Sequence, residues 1–357
     1  MNSEDFDYKD SFFFEILESN TKKTISSTDI DRIEDFRESN DLNKIGFAII
    51  SYDYINEIEK IGVRSSEFPR STVLIPRSVN YSPDFKKTRF EIKDIIMPSK
   101  DSFIKNVEKI KEEIKRGEAF QIVISHRVSF KLEGSKFSMF LEMRERNPSQ
   151  FNFYFKRGKF TAFGTSPEKL VSISDNLVST NPIAGTYFLT DDFKDSFLLN
   201  SEKDLAEHNM LVDLARNDIG RISKIGSVRV QEYLKVKKFR GIAHLVSTVS
   251  GEPLSGLSRV KIHDSLFPAG TVSGAPKLRA MEIIDRLEEY PRGPYAGSVG
   301  ILRRESWDFA INIRSVYCIG DQCYAQAGAG IVLDSVPELE YNETINKLRS
   351  SIGGIVI

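Results

Sequence analysis

Two apolar periodicities alternate along residues 96–357 of this chain, and a sequence that keeps switching between them must fold as interleaved helices and strands. A helix buries a stripe that recurs every 3.6 residues, whereas a strand buries every second side chain. Ile104, Val107, Ile110 and Ile114 follow the helical spacing, with Ser102 as the cap and Gly117 as the stop. Residues 119–130 read as a strand, 151–174 alternate and turn at Arg157-Gly158 as a hairpin, and 199–216 return to helix through Leu205, Leu211 and Leu214. Further strands are predicted at 244–250, 297–302, 309–318 and 323–332, and long helices at 274–289 and 337–351. Hairpin-like spacings outnumber βαβ units, which predicts an α+β fold of large antiparallel sheets with flanking helices.

Before residue 96 the text is uneven. Apolar patches such as Phe12-Phe13-Phe14 and residues 46–50 are broken by charged stretches and by Pro69, Pro76 and Pro83. This contrast divides the chain into an N-terminal region, 1–95, and a regular domain, 96–357. With 357 residues and 40% hydrophobic content the chain can bury a large core, and 50 Lys+Arg against 51 Asp+Glu leave no basic field for nucleic acid. The acidic start has no secretory pattern, and no apolar run approaches the roughly 20 residues that cross a bilayer. Cys318 and Cys323 are too few for a disulfide framework and read as two thiols flanking a strand-turn-strand at Gly320-Asp321. A soluble cytoplasmic protein acting on a small molecule is the expectation.

Two helical segments each carry carboxylates three positions apart, Asp204 with Glu207 and Glu340 with Glu343, a spacing that puts each pair on one helix face. Facing helices would then form an acidic clamp suited to Mg²⁺, a hard ion that prefers oxygen ligands. Alone the pattern is weak, because acidic residues commonly line solvated faces. His244 opens an apolar strand and offers a proton carrier near neutral pH, although a hydrogen-bonded core histidine is the commoner case. The segment 269–277 is glycine-rich and precedes a helix but lacks the Gly-Lys-Ser/Thr ending of a P-loop; its backbone N–H groups, with Thr271 or Ser273, would receive a carboxylate. Residues 326–330, with Gly328 and Gly330, offer a second close approach to backbone. Arg314, opposite in parity to Ile311 and Ile313 on a predicted strand, projects from the face those residues avoid, where it holds a carboxylate or meets solvent.

Taken together, these segments resemble the chorismate-binding enzymes, whose members include anthranilate, aminodeoxychorismate, isochorismate and salicylate synthases. The resemblance runs from about residue 96 to 357 through Gly117–Gln121, Ser166–Glu168, Pro182–Thr186, Ala206–His208, Asp213–Asp218, His244–Ser247, Gly270–Lys277, Arg292–Gly297, Gln326–Gly330 and Asp334–Thr344. It implies Glu207 and Glu343 as Mg²⁺ ligands, with Glu340 nearby and Asp204 in support. It implies Tyr295 and Arg314 as the grip on the enolpyruvyl carboxylate of chorismate, Thr271, Gly328 and Gly330 on the ring-carboxylate side, and His244 as the proton carrier for pyruvate loss.

Two positions separate the chemistries within the family. Members that attack C2 with water tend to have lysine where this chain has Gln121, and Gln121 cannot act as a base. Aminodeoxychorismate synthases usually place a nucleophilic lysine where this chain has Ala184, so here ammonia itself must add at C2. The resemblance therefore implies the ortho product, anthranilate, the entry to tryptophan biosynthesis. Another aminating member, or a silent chorismate-binding regulatory subunit, are the rival readings. No glutaminase context surrounds either cysteine, so the implied partner is a separate glutamine amidotransferase subunit in a hetero-oligomer. Glu18 and Ser19, with Asn147, Pro148 and Ser149, resemble the tryptophan pocket of feedback-inhibited relatives, and residues 187–190 depart from the usual Arg-containing stretch.

Overall fold

Chain segments that alternate apolar and polar side chains pair here into two antiparallel sheets, and the computed structural model describes residues 45–74, 86–147, 149–190, 192–239 and 242–352. The strands begin with β1 (Ile45–Ile50), β2 (Ser71–Leu74), β3 (Phe90–Ile96), β4 (Gln121–Gly134), β5 (Phe151–Arg157) and β6 (Phe160–Ser166). They continue with β7 (Lys169–Ser174), β8 (Val178–Thr180), β9 (Ile183–Phe188), β10 (Arg229–Phe239) and β11 (Ile242–Gly251). The last are β12 (Gly274–Ala275), β13 (Ser298–Arg303), β14 (Ser306–Ile311), β15 (Ser315–Ile319) and β16 (Gln322–Ile331). Among the described residues the helices of eight or more residues are α1 (Lys100–Lys115), α2 (Lys136–Arg146), α3 (Glu202–Gly220), α4 (Arg259–Leu266), α5 (Lys277–Leu287) and α6 (Pro337–Ser351).

The first sheet runs β10-β11-β8-β7-β14-β13-β1-β2, with β9 also on β11; the second runs β12-β4-β16-β15-β6-β5, with β3 also on β4. The α+β architecture is the one the periodicity predicts. Residues 45–74 supply β1 and β2, so part of the N-terminal text is built into the first sheet. The main core lies between the sheets, where Phe47, Ile49, Val171 and Phe309 of the first meet Phe153, Phe155 and Tyr317 of the second. On the second sheet's other side, Phe130 and Leu132 pack with Phe140 of α2 and Leu348 of α6. Val107 and Ile110 of α1 pack with Ile122, Ile124 and Ile283, each such burial contributing roughly 1.5–3 kcal/mol.

Four local expectations are corrected. Ser99, not Ser102, caps α1: its side chain accepts the Ser102 N–H at 3.2 Å, as an N-cap accepts from the third helical residue. The run 309–318 is two strands in different sheets, broken at Asn312–Arg314, with Arg314 at φ 52. Strand parity therefore does not aim Arg314. The helix expected from 274 starts at Lys277, because Gly274–Ala275 pairs with Gln121 and Ile122 instead. Cys318 and Cys323 are opposite each other on β15 and β16 and form a disulfide, where two thiols were expected. Cross-strand neighbours in an antiparallel hairpin are close enough for that bond.

Beneath the sheets' meeting point lies a buried ion pair. Arg292 binds Glu288 through two contacts of 2.7 and 3.0 Å and donates to the carbonyls of Val272 at 2.6 Å and Val123 at 2.7 Å. Glu288 also accepts the Ser125 N–H at 2.8 Å and the Ser125 hydroxyl at 2.6 Å. Tyr52 and Tyr295 present their rings to the guanidinium at 4.8 and 5.5 Å. Removing one partner strands the other charge out of water, which typically costs roughly 3–5 kcal/mol. Arg292→Met is therefore expected to lower the thermal melting temperature by many degrees, and the double variant Arg292→Met with Glu288→Leu to recover part of that loss. Equal melting of wild type and Arg292→Met would show the pair to be dispensable.

Candidate active site

Two chain crossings between the sheets bring the polar residues together. One runs from β6 to β7 through Pro167-Glu168, the other from β14 to β15 through Asn312–Arg314. They are laced by hydrogen bonds from Ile311 N to Glu168 O at 2.9 Å, Thr165 N to Arg314 O at 3.0 Å and Ser166 Oγ to Ile311 O at 2.6 Å. Because the crossings cannot separate, Glu168 and Arg314 enter one space. The left-handed backbone at Arg314, costly for a residue with a Cβ, marks a place where position outweighs local comfort.

Glu168 is the residue that sequence reasoning missed. Its pKa is raised to about 7, chiefly by burial and in part by Glu207, against the lowering influence of Thr271, Lys347 and Arg314. Thr271 Oγ1 is buried and forms no well-shaped hydrogen bond, so its effect on Glu168 is one of proximity. Glu168 and Thr271 also line a small open pocket with Leu211, Leu214, Asp218 and Asn181. The signal available in sequence was an acidic residue in the Ser-Pro-Glu block at a predicted strand end.

His244 sits on β11, where Nδ1 is 2.7 Å from the Gly185 carbonyl. A carbonyl only accepts, so Nδ1 carries the proton and Nε2 holds the lone pair of a base. Burial, opposed by that hydrogen bond and aided by nearby Arg314, lowers its pKa. Ala184 pairs with Leu245 in the adjoining strand, so it too is beside His244. Gly185 takes φ 65, and a Cβ there would meet Leu198 at 2.7 Å and Asp204 at 3.3 Å.

The two acidic helices approach each other closely enough for Glu343 to act on Glu207. Burial, Glu343 and Asp204 raise the pKa of Glu207, and burial with Glu343 raises that of Glu340, with Lys203 and Lys347 opposing both. Lys347, also missed in the sequence although four residues beyond Glu343, lies 2.6 Å from Glu343 and donates to Gly328 O at 3.1 Å. The donor set suits Mg²⁺: all oxygens, in a shared negative field that a divalent cation would relieve. Among the described residues no three acid, histidine or cysteine side chains converge into a ready cage.

Tyr295 is buried, its hydroxyl pushed up to about 12 by burial, and a Cβ on Gly328 would lie 3.0 Å from that hydroxyl. Tyr295 thus packs on Gly328 and Arg292, while Arg314 stands beside Glu168 and His244. Gln121 fills the space over Gly330, where a Cβ would come within 2.3 Å of Nε2. Segment 269–277 is no helix-start cradle: Gly270–Val272 is a 3₁₀ turn, and the Ser273 hydroxyl is spent on Ala269 O. Asn147 and Ser149 lie between α2 and β5, where Asn152 Nδ2 donates to Ser149 O at 2.7 Å; Glu18, Ser19 and Pro148 lie outside the described residues.

A carboxyl, a histidine and an arginine meet where two antiparallel sheets face each other, and the chain belongs to the chorismate-binding enzyme family, whose pattern matches residues 56–353. Within that family it is similar to anthranilate synthase component 1 of Methanothermobacter marburgensis, at 47% identity over 258 residues, 71% of this chain and 56% of the relative. To the protein of the same description from Aquifex aeolicus it is 42% identical over 285 residues, 78% of this chain and 56% of the relative. The matches thus span little more than half of these relatives' length. Anthranilate synthase component I from Streptococcus pneumoniae TIGR4 superposes with a TM-score of 0.79 at 33% identity, covering 91% of this chain and 86% of that one. The menaquinone-specific isochorismate synthase of Escherichia coli shares the fold, with a TM-score of 0.70 at 22% identity over 93% and 84% of the chains.

A carboxyl with a pKa of about 7 is half protonated at neutral pH. Infrared difference spectra of the metal-free chain, wild type minus Glu168→Gln, are expected to show a protonated carboxyl band at pH 6 that fades by pH 8. A Glu168 ionised throughout that range would contradict the reading.

Proposed function

We propose that the chain is the chorismate-using component of an anthranilate synthase, adding ammonia at C2 of chorismate and then releasing pyruvate. The observation that carries this reading is the meeting of a proton donor and a proton acceptor, Glu168 and His244, around Arg314. In the first half-reaction the C2–N bond forms, the ring double bonds shift and the C4 hydroxyl leaves. Neutral Glu168 is suited to protonate that hydroxyl as it departs. In the second, Nε2 of His244 takes the C2 proton, the bond from ring C3 to the enolpyruvyl oxygen breaks, the ring becomes aromatic, and the departing enolpyruvate takes up a proton at its methylene carbon to become pyruvate.

Glu207 and Glu343, with Glu340 and Asp204 in support, would hold Mg²⁺, which when bound neutralises the ring carboxylate. Arg314 and Tyr295 serve the enolpyruvyl carboxylate, and Thr271, Gly328 and Gly330 the opposite end. Gln121 offers no base for water, and Ala184 no nucleophile to divert ammonia from C2. Ammonia comes from a glutamine amidotransferase subunit, and Glu18, Ser19, Asn147, Pro148 and Ser149 belong to a tryptophan-sensing pocket.

General acid-base help is typically worth about 10²–10⁴-fold, and only the second half-reaction draws on His244. With ammonium and Mg²⁺, His244→Met is expected to consume chorismate and accumulate 2-amino-2-deoxyisochorismate, separable by chromatography. Anthranilate formed at the wild-type rate would make His244 structural. The same assay with a chelator, or with glutamine in place of ammonium, is expected to give no product from this chain alone.

A further inference from the structure

The carboxylates proposed to hold the cation ride on two separate helices, so the span between Glu207 and Glu343 is only as definite as the seating of α3 and α6. Directly after each stands a buried residue in a histidine–hydroxyl contact with a strand. His208, fully buried on α3, has Nε2 2.6 Å from Ser247 Oγ on β11, three residues beyond His244. Ser247 Oγ also accepts the Leu234 N–H at 3.0 Å, which leaves its proton for His208. Leu234 belongs to the register shift of β10, at φ 54, so the hydroxyl ties helix, strand and irregular turn into one unit.

Thr344, fully buried on α6, mirrors this arrangement. Its Oγ1 lies 2.7 Å from His126 Nε2 on β4 and donates to the Tyr341 carbonyl at 2.7 Å. One hydroxyl proton serves one acceptor, so His126 Nε2 donates to Thr344. In one clamp the helix supplies the imidazole and in the other the hydroxyl. The ring of His126 is further wedged between Phe103 of α1, at 4.7 Å, and Tyr341 of α6, at 5.5 Å.

Alanine or valine would fill such buried positions without any desolvation cost, and polar groups there are worth their burial only for direction. Packing alone lets a helix roll or slide against a sheet by a fraction of a residue. A hydrogen bond to a named strand atom does not.

We infer that His208 with Ser247, and Thr344 with His126, are two clamps that fix the rotation of α3 and α6 and so set the separation of the Glu207 and Glu343 carboxylates, making all four positioning residues for the divalent cation. The inference rests on the cation assignment proposed above. Partners that orient metal-binding groups are typically worth about 10–100-fold in metal affinity. The two clamps act on different helices, and either alone would leave one carboxylate adrift.

The test measures Mn²⁺ affinity of the full chain by electron paramagnetic resonance, with chorismate present and ammonia withheld, alongside thermal melting. Thr344→Val and Ser247→Ala are expected to weaken Mn²⁺ binding about tenfold or more while remaining folded, and Thr344→Ser to keep wild-type affinity. In the ammonium assay the Mg²⁺ concentration for half-maximal rate is expected to rise, with kcat at saturating Mg²⁺ largely retained. Wild-type Mn²⁺ affinity in both variants would overturn the proposal, as would a loss in Thr344→Val that Thr344→Ser shares. Glu343→Gln supplies the separate check: unchanged Mn²⁺ affinity in that variant would sink the cation assignment, and the clamps with it.

Discussion

The Arg292–Glu288 ion pair is the constraint on which the arrangement depends. Burial opposes the Arg292 charge, yet Glu288, Tyr52 and Tyr295 hold its proton affinity above the usual arginine range. The pair's other contacts reach Val123 and Ser125 on β4 and Val272 beside Thr271, while Glu288 itself stands at the end of α5. Gln326 of β16 joins through Ser125 at 2.8 Å. A buried charge tolerates no slack, because every lost contact exposes a desolvated group. The pair therefore locks together the strands that carry Gln121, Gly328 and Gly330, the turn that carries Thr271, and Tyr295.

Above this base, reactivity comes from the sheet crossings. Strand interiors have their backbone groups committed to ladders, whereas a crossing frees a residue to point into the gap between sheets. Glu168 and Arg314 occupy two such crossings held to each other by backbone hydrogen bonds. In that enclosed space the carboxyl resists ionisation and the histidine resists protonation, so donor and acceptor coexist near neutral pH. In open water at that pH a glutamate would be an anion and a histidine only partly neutral.

Much of this was legible in sequence, for reasons particular to each segment. The helix 337–351 matches its expected span, and the hairpin at Arg157-Gly158 was legible because strand alternation flanks a turn. The three-residue spacing of Glu340 and Glu343 places both on one face of that helix. Arg314 was misaimed because a three-residue link between two apolar strands reads as one longer strand. Glu168 was passed over because its raised proton affinity comes from burial and from Glu207, both supplied by segments distant in sequence. The glycine-rich 269–277 segment was read as a helix start because the pairing of Gly274 with Ile122 is invisible locally. The same holds for the bond between Cys318 and Cys323, which needs the hairpin register.

The central claim is that this pocket directs ammonia to C2, because Gln121 cannot activate water and Ala184 cannot form a covalent adduct. Its most direct test is nuclear magnetic resonance of the product formed by the purified chain from chorismate, nitrogen-labelled ammonium and Mg²⁺. The account predicts the label on the ring carbon adjacent to the one bearing the carboxylate, with pyruvate released in equal amount. Label at the para carbon, or a hydroxylated product without nitrogen, would contradict it.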